Sequence, residues 1–234
     1  MLPIMAHEDA DKKTAAHDPA ETQGGKPAYS GRVRYTAAAS LRYQNRNPRR
    51  HQAEMRLIER AFQLVPPGRV LDVPCGCGRV GFWLARCGFT VTAADLSDAM
   101  LEITREEAAR QSLAVDVQKQ DVERLQFAAK SFDSVISFRL FHHFPNREIR
   151  ARVVAELCRV ARRQVVISYF SPWSTSALKQ RGQFFFFNHP QKKFPTSRHE
   201  LRGYFEANGF RLVRDFAQSP FFHTLHLAVF ERVD

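Results

Sequence analysis

The residues with most to say about chemistry are an acid, Asp72, two glycines that follow it closely, Gly76 and Gly78, and a second acid, Asp95. Glycine lets backbone come close to a ligand, and the amides that open a helix attract anions. A carboxylate about twenty residues beyond such a turn is where dinucleotide-binding chains hold a ribose. The set therefore predicts a site for a ligand with an adenosine part. Further on, His142 and His143 supply imidazoles, which titrate near neutrality and can take a proton. The competing reading for each is a packed or helix-starting residue. The four cysteines, Cys75, Cys77, Cys87 and Cys158, have neither disulfide-framework nor zinc-site spacing, so no metal is expected. Cys75 and Cys77 read as small residues of the turn.

These groups need elements to position them. Apolar runs at 69–73, 89–94, 114–119, 132–138, 164–170, 210–217 and 224–230 predict strands, and helical patterns fill 79–87, 98–111, 146–161 and 198–208. An earlier helix carries Ala53, Leu57, Ile58, Ala61 and Leu64 at the spacing of a buried stripe and stops at Pro66-Pro67-Gly68, with Arg49, Arg56 and Arg60 on another face. Strands alternating with helices imply right-handed crossovers and a mostly parallel sheet covered on both faces. Only Gln218 to Phe222 separate the last two strands, which predicts an antiparallel hairpin at one edge. In such a sheet ligands bind beyond the carboxyl ends of the strands. Those ends carry Asp72 with the Pro74–Gly78 turn, Asp95-Leu96-Ser97, Gln120-Asp121-Val122, and Phe138 through Phe144.

A length of 234 residues suits one α/β domain, and a hydrophobic content of 44% predicts a chain that folds. No run is long and apolar enough for a membrane span, and the acidic start does not read as a signal peptide, so a cytoplasmic location is expected. The net charge of +11 is concentrated. Residues 26–60 hold nine Lys and Arg against Glu54 and Glu59, and residues 176–202 hold six against Glu200. Two basic segments predict an anionic partner near both. Residues 1–27 read as a disordered leader, 28–66 as a helical cap, and 67–234 as the main domain.

With these residues in place, the chain resembles the class I S-adenosylmethionine-dependent methyltransferases, in particular the small-molecule group that includes the ubiquinone and menaquinone biosynthesis enzymes. The resemblance covers about residues 50–232 and rests on Val70 to Arg79, Ala94 to Met100, Gln120 to Asp121 and Phe132 to Phe144. It implies a Rossmann-like seven-stranded, mostly parallel α/β sheet with an antiparallel last strand, helices on both faces, and S-adenosyl-L-methionine as cofactor. Gly76 and Gly78, with Cys75, would line its methionine part, and Asp95 would accept from both ribose hydroxyls. Leu96, Met100 and Val122 would form an apolar slot for adenine, with Asp121 accepting from its amine. Asp72 would orient the loop or the cofactor's ammonium. Arg139, next to Phe138, would touch the cofactor or an acidic substrate. Pro74 departs from the family, which commonly has Gly there; proline fixes φ and lacks an amide donor.

The implied activity is methyl transfer to a small or lipid-like, anionic acceptor, with His142 or His143 as the base where the acceptor is a hydroxyl. Tyr169 is a wall or hydrogen-bond candidate at the end of the fifth strand. The segment 171–196 reads as a substrate cover. It contains Phe184 to Phe187, whose side chains cannot all face inward in a strand, and His189. Phe185 and Phe186 either close a flap over the pocket or dock an amphiphilic or membrane-bound substrate in peripheral contact with a membrane. RNA methylation, suggested by a pI near 10, is the less favoured alternative for want of a recognisable RNA-binding module. A non-catalytic cofactor-binding partner is another.

Overall fold

The structure, a computed structural model, describes residues 47–173, 193–218 and 225–233. The leader, the first part of the helical cap and most of the cover, with Phe185, Phe186 and His189, lie outside the described residues. The described chain runs α1 (Pro48–Phe62), β1 (Arg69–Asp72), α2 (Arg79–Arg86), β2 (Thr90–Asp95), α3 (Asp98–Arg110), β3 (Val115–Lys119) and β4 (Phe132–Ser137). It continues through a 3-10 turn (Phe141–His143), α4 (Arg147–Val160), β5 (Ala161–Phe170), α5 (Arg198–Glu206), β6 (Phe210–Ala217) and β7 (Leu225–Arg232).

The seven strands form one sheet in the order β3-β2-β1-β4-β5-β7-β6. β1 pairs in parallel with β2 and β4, and β4 with β5, whereas β7 lies antiparallel between β5 and β6. The predicted terminal hairpin is present, and β6 is its edge strand. The chain runs from β1 through β2 to β3 on one side and returns from β3 to β4 on the other side of β1, so the strand order reverses between β1 and β4, and a crevice opens beyond their carboxyl ends.

Alternation along the strands separates two cores. Leu71, Val165, Ile167, Tyr169, Ala228 and Phe230 pack with Val153, Leu157, Leu201 and Phe205 of α4 and α5. Val70, Val166, Leu227 and Val229 face the other way, against Leu57, Ile58 and Leu84 of α1 and α2. The helix starts are capped in sequence. Asn47 accepts from the amides of Arg49 and Arg50 ahead of Pro48, and Ser97, Asn146 and Ser197 do the same for α3, α4 and α5. Among the described residues no helix is long and apolar enough to cross a membrane, and no group of three or more His, Cys, Asp or Glu could hold a metal ion.

Two expectations need correction. α1 ends at Phe62 rather than running to Pro66, so Leu64 leaves the helical stripe and is exposed while Phe62 and Val65 are buried. Ala53 is only partly buried, and the position beside it on the stripe is filled by the fully buried Glu54. β5 begins at Ala161, three residues earlier than expected, because α4 passes into it without a loop.

Candidate functional site

The crevice beyond β1, β2 and β4 is built from their terminal residues. Asp72 closes β1, and its buried Oδ2 accepts from the Gly81 amide at 2.9 Å, fixing the first turn of α2 against the strand end. A side chain at Gly81 would meet this carboxylate at 3.3 Å. Asp72 Oδ1 is buried without a hydrogen-bond partner. Burial raises the Asp72 carboxyl from 3.8 to about 7, against the opposing pull of the Gly81 amide and the Arg79 charge.

The turn that follows begins with a cis Val73–Pro74 bond. The Cys75 amide donates to Ala94 O at 2.8 Å, and the Gly78 amide closes the turn on Cys75 O at 3.0 Å. Gly78 caps α2 at φ +77°, a left-handed conformation open chiefly to glycine. Proline at position 74 does not block the turn, because the left-handed residues are Gly76 and Gly78. Burial drives the Cys75 thiol well above its ordinary range, so it lines the crevice as a neutral group.

Asp95 at the end of β2 is buried and grips the same turn. Its Oδ2 accepts from the Gly76 amide at 2.9 Å and its Oδ1 from the Ser97 amide at 3.0 Å. Burial raises its pKa while the amides of Ser97, Gly76 and Leu96 oppose the rise. Thr104 of α3 holds the turn from behind, donating to Gly76 O at 2.8 Å.

On the opposite wall stand Phe138 and Arg139, just past β4. Arg139 is left-handed at φ +64°, and its amide donates to Ser168 Oγ at 2.5 Å. Its guanidinium donates to Glu54 Oε1 at 2.6 Å, and Arg79 donates to Glu54 Oε2 at 2.6 Å. Arg79 also lies over the Phe138 ring, 5.2 Å from its centroid. Pro74, Cys75, Gly76, Arg79, Val80, Asp95, Phe138 and Arg139 thus line one narrow cleft.

The structure therefore brings Cys75, Gly76, Asp95, Phe138 and Arg139 of the sequence-derived set to a single cleft, with Asp72 beneath it and Gly78 shaping its turn. Met100 is wholly buried in α3, Leu96 is partly exposed, and Val122 packs into the core on the α4 side. Asp121 Oδ1 accepts from the Glu123 amide at 3.0 Å, which makes it a turn-former beyond β3. His142 and His143 are both buried; His142 stacks on Phe170 with centroids 3.9 Å apart, and its carbonyl accepts from the Phe194 amide at 2.8 Å. Tyr169 points into the α4–α5 core, and its hydroxyl donates to Asp215 Oδ2 at 2.7 Å. Sequence reasoning missed Arg79 and Glu54. The available signals were an Arg directly after Gly78 and a Glu on an otherwise apolar helical stripe.

Comparison with known proteins agrees with this fold. Residues 70–164 match the family model described as a methyltransferase domain. The ubiquinone biosynthesis O-methyltransferase of Coxiella burnetii is 33% identical over 90 residues, which is 38% of each chain. An uncharacterized protein of Mycobacterium tuberculosis is 34% identical over 113 residues, 48% of this chain and 41% of that one. The chain thus spans about two fifths of the length of the curated relatives it matches. Among solved structures, magnesium protoporphyrin IX methyltransferase from Synechocystis with bound SAH superposes with a TM-score of 0.65 at 22% identity, over 78% of this chain and 83% of that one. A Pyrococcus horikoshii protein gives 0.66 at 19% identity, over 80% and 93%. At such identities these two likenesses bear on the fold.

Proposed function

We propose that this chain is a class I S-adenosylmethionine-dependent methyltransferase, a reading its matched domain and its sheet support, and that it transfers a methyl group from S-adenosyl-L-methionine to a small-molecule acceptor. The observation that carries the reading is Asp95. A buried carboxylate at the end of β2 grips the glycine turn after β1, in the crevice where the strand order reverses. The residues present fit the cofactor. Asp95 can accept from vicinal hydroxyls, the unpartnered Asp72 Oδ1 suits an ammonium, and a cleft lined by Arg79 and Arg139 suits a carboxylate.

When bound, the cofactor supplies an electrophilic methyl on a sulfonium. The chain's own contribution to an in-line displacement is alignment, which can account for much of a rate enhancement. The turn after β1 and the Phe138–Arg139 wall would hold the donor, while His142 and His143, past β4, are the candidates to take a proton from a hydroxyl acceptor. The acceptor is read as anionic or lipid-like. Support comes from the net charge of +11, the phenylalanine-rich cover, and Trp173, a large apolar side chain exposed where the cover begins.

Calorimetry with S-adenosylmethionine and S-adenosylhomocysteine tests the cofactor, and absence of binding to either refutes the proposal. Incubation with labelled methyl donor and fractionated cell extract then identifies the fraction that takes up label. Label in nucleic acid rather than in a small-molecule or lipid fraction would overturn the acceptor class.

A further inference from the structure

Glu54 is the anomaly of α1. It lies one turn before Leu57 and Ile58 on the buried stripe and is itself fully buried. A carboxylate in that position is strongly destabilising unless charged partners surround it. Its partners come from three places in the chain: Arg50 one turn earlier, at 3.3 Å, Arg79 at the start of α2, and Arg139 beyond β4, the last two at 2.6 Å each. One guanidinium would have neutralised it. Two of the three, Arg79 and Arg139, also line the cleft that Asp95 closes.

We infer that Glu54 is a positioning residue, holding Arg79 and Arg139 side by side as a receptor for the carboxylate at the amino-acid end of the cofactor. The inference rests on the methyltransferase reading, since it takes the ligand of the cleft to be S-adenosylmethionine. Three features favour it. Both arginines are only about one seventh exposed, at 14% and 15% of the side chain, so solvent screens their charge weakly. Each guanidinium has five donors in a rigid plane and can serve Glu54 and a second carboxylate at once. Arg139 is held in the left-handed region, with its amide on Ser168, and such backbone persists where the surroundings fix it for a purpose. Asp95 takes the hydroxyl-bearing part of the same ligand.

The test compares two ligands by calorimetry on the full chain: S-adenosylhomocysteine, and its decarboxylated analogue, which differs only by hydrogen in place of the carboxylate. Wild type should prefer the first. Glu54→Gln keeps the shape and removes the charge, and it should weaken S-adenosylhomocysteine about tenfold or more while leaving the analogue within about twofold. Arg139→Gln and Arg79→Gln should show the same selective loss, and they decide the question if Glu54→Gln does not fold. Equal loss for both ligands would make Glu54 a purely structural residue, and no loss for either would show that the arginines need no such support; each overturns the inference. A wild type that binds both ligands equally refutes the carboxylate receptor alone. A wild type that binds neither refutes the methyltransferase reading with it.

Discussion

Replacing Asp72 by Asn should change how stability depends on pH, in a direction the structure fixes. The carboxyl is wholly buried, accepts one bond from the Gly81 amide, and carries a second oxygen without a partner. Desolvation outweighs the Gly81 bond and the Arg79 charge, and Asp95 adds to it, raising the pKa from 3.8 to about 7. The unfolded chain releases this proton near 3.8 and the folded chain near 7. Between those values the folded state holds more protons, so stability falls as pH rises through the window, and the loss is complete above the folded value. A separation of about three pH units at about 1.4 kcal/mol each corresponds to about 4 kcal/mol, of which about 2.5 kcal/mol falls between about pH 5 and pH 8. Asparagine offers the same carbonyl to Gly81 and does not titrate. Its unsatisfied amide is a constant offset that cancels when the two chains are compared across pH. Urea denaturation of both chains over that range should show the Asn variant gaining about 2.5 kcal/mol on wild type as pH rises. Glu107 and Glu156, whose pKa values are lowered chiefly by Arg110 and Arg159, are common to both chains and drop out of the difference. A difference that stays flat with pH, or one of opposite sign, would refute the account of Asp72.

Other expectations concern the turn, the gripping acid and the far core. Gly78→Ala forces a side chain onto the Phe82 ring at a position with φ +77°, and should lower stability by about 1–3 kcal/mol; an unchanged denaturation midpoint would contradict the turn geometry. Asp95→Ala strands the amides of Gly76 and Ser97 and removes the acceptor proposed for ribose. S-adenosylhomocysteine affinity should drop about a hundredfold or more, and retention of wild-type affinity in calorimetry would end the ribose assignment. Tyr169→Phe deletes the bond to Asp215 but leaves His226 Nδ1 at 3.1 Å from that carboxylate. It should cost about 1 kcal/mol of stability with cofactor affinity unchanged, and a shifted Kd would bring Tyr169 into the site.

The sheet was legible because period and punctuation agreed. Apolar runs of strand length, separated by capped helices and a short final link, fix the order of elements and the terminal hairpin. The crevice was legible too, since Asp72, Gly76, Gly78 and Asp95 mark consecutive strand ends at spacings that a parallel sheet brings together. What escaped was everything set by distance along the chain. Glu54 lies 25 residues before Arg79 and 85 before Arg139, and nothing local pairs them; read along the helix, Glu54 is one charge in a basic segment. Tyr169 illustrates the opposite difficulty. Its place at a strand end suggested a pocket wall or a hydrogen-bonding group; alternation turns it to the α4–α5 face, and its hydroxyl finds Asp215 across β7. Val165, Ile167 and Tyr169 share one face by alternation, but which layer that face meets is set by the helices packed on it, and the apolar run alone does not specify them.

The chain's net charge of +11 makes its basic surface conspicuous, yet the site is organised by buried acids whose partners differ in kind. Asp72 and Asp95 are held by backbone amides, which cannot move without moving α2 and the glycine turn; they set the shape of the crevice before any ligand arrives. Glu54 is held by guanidiniums on long side chains rooted in two other elements, so it links the docking of α1 to the opposite wall of the cleft. Loosening α1 would release Arg79 and Arg139 together and leave the turn intact. On that inference ligand binding and α1 docking are coupled, through Glu54 and the Arg79–His51 contact at 3.4 Å, and by linkage a ligand that needs both arginines stabilises α1 by as much as α1 strengthens its binding. A helix that sequence reading assigns to a cap is in this way a structural part of the candidate cofactor site.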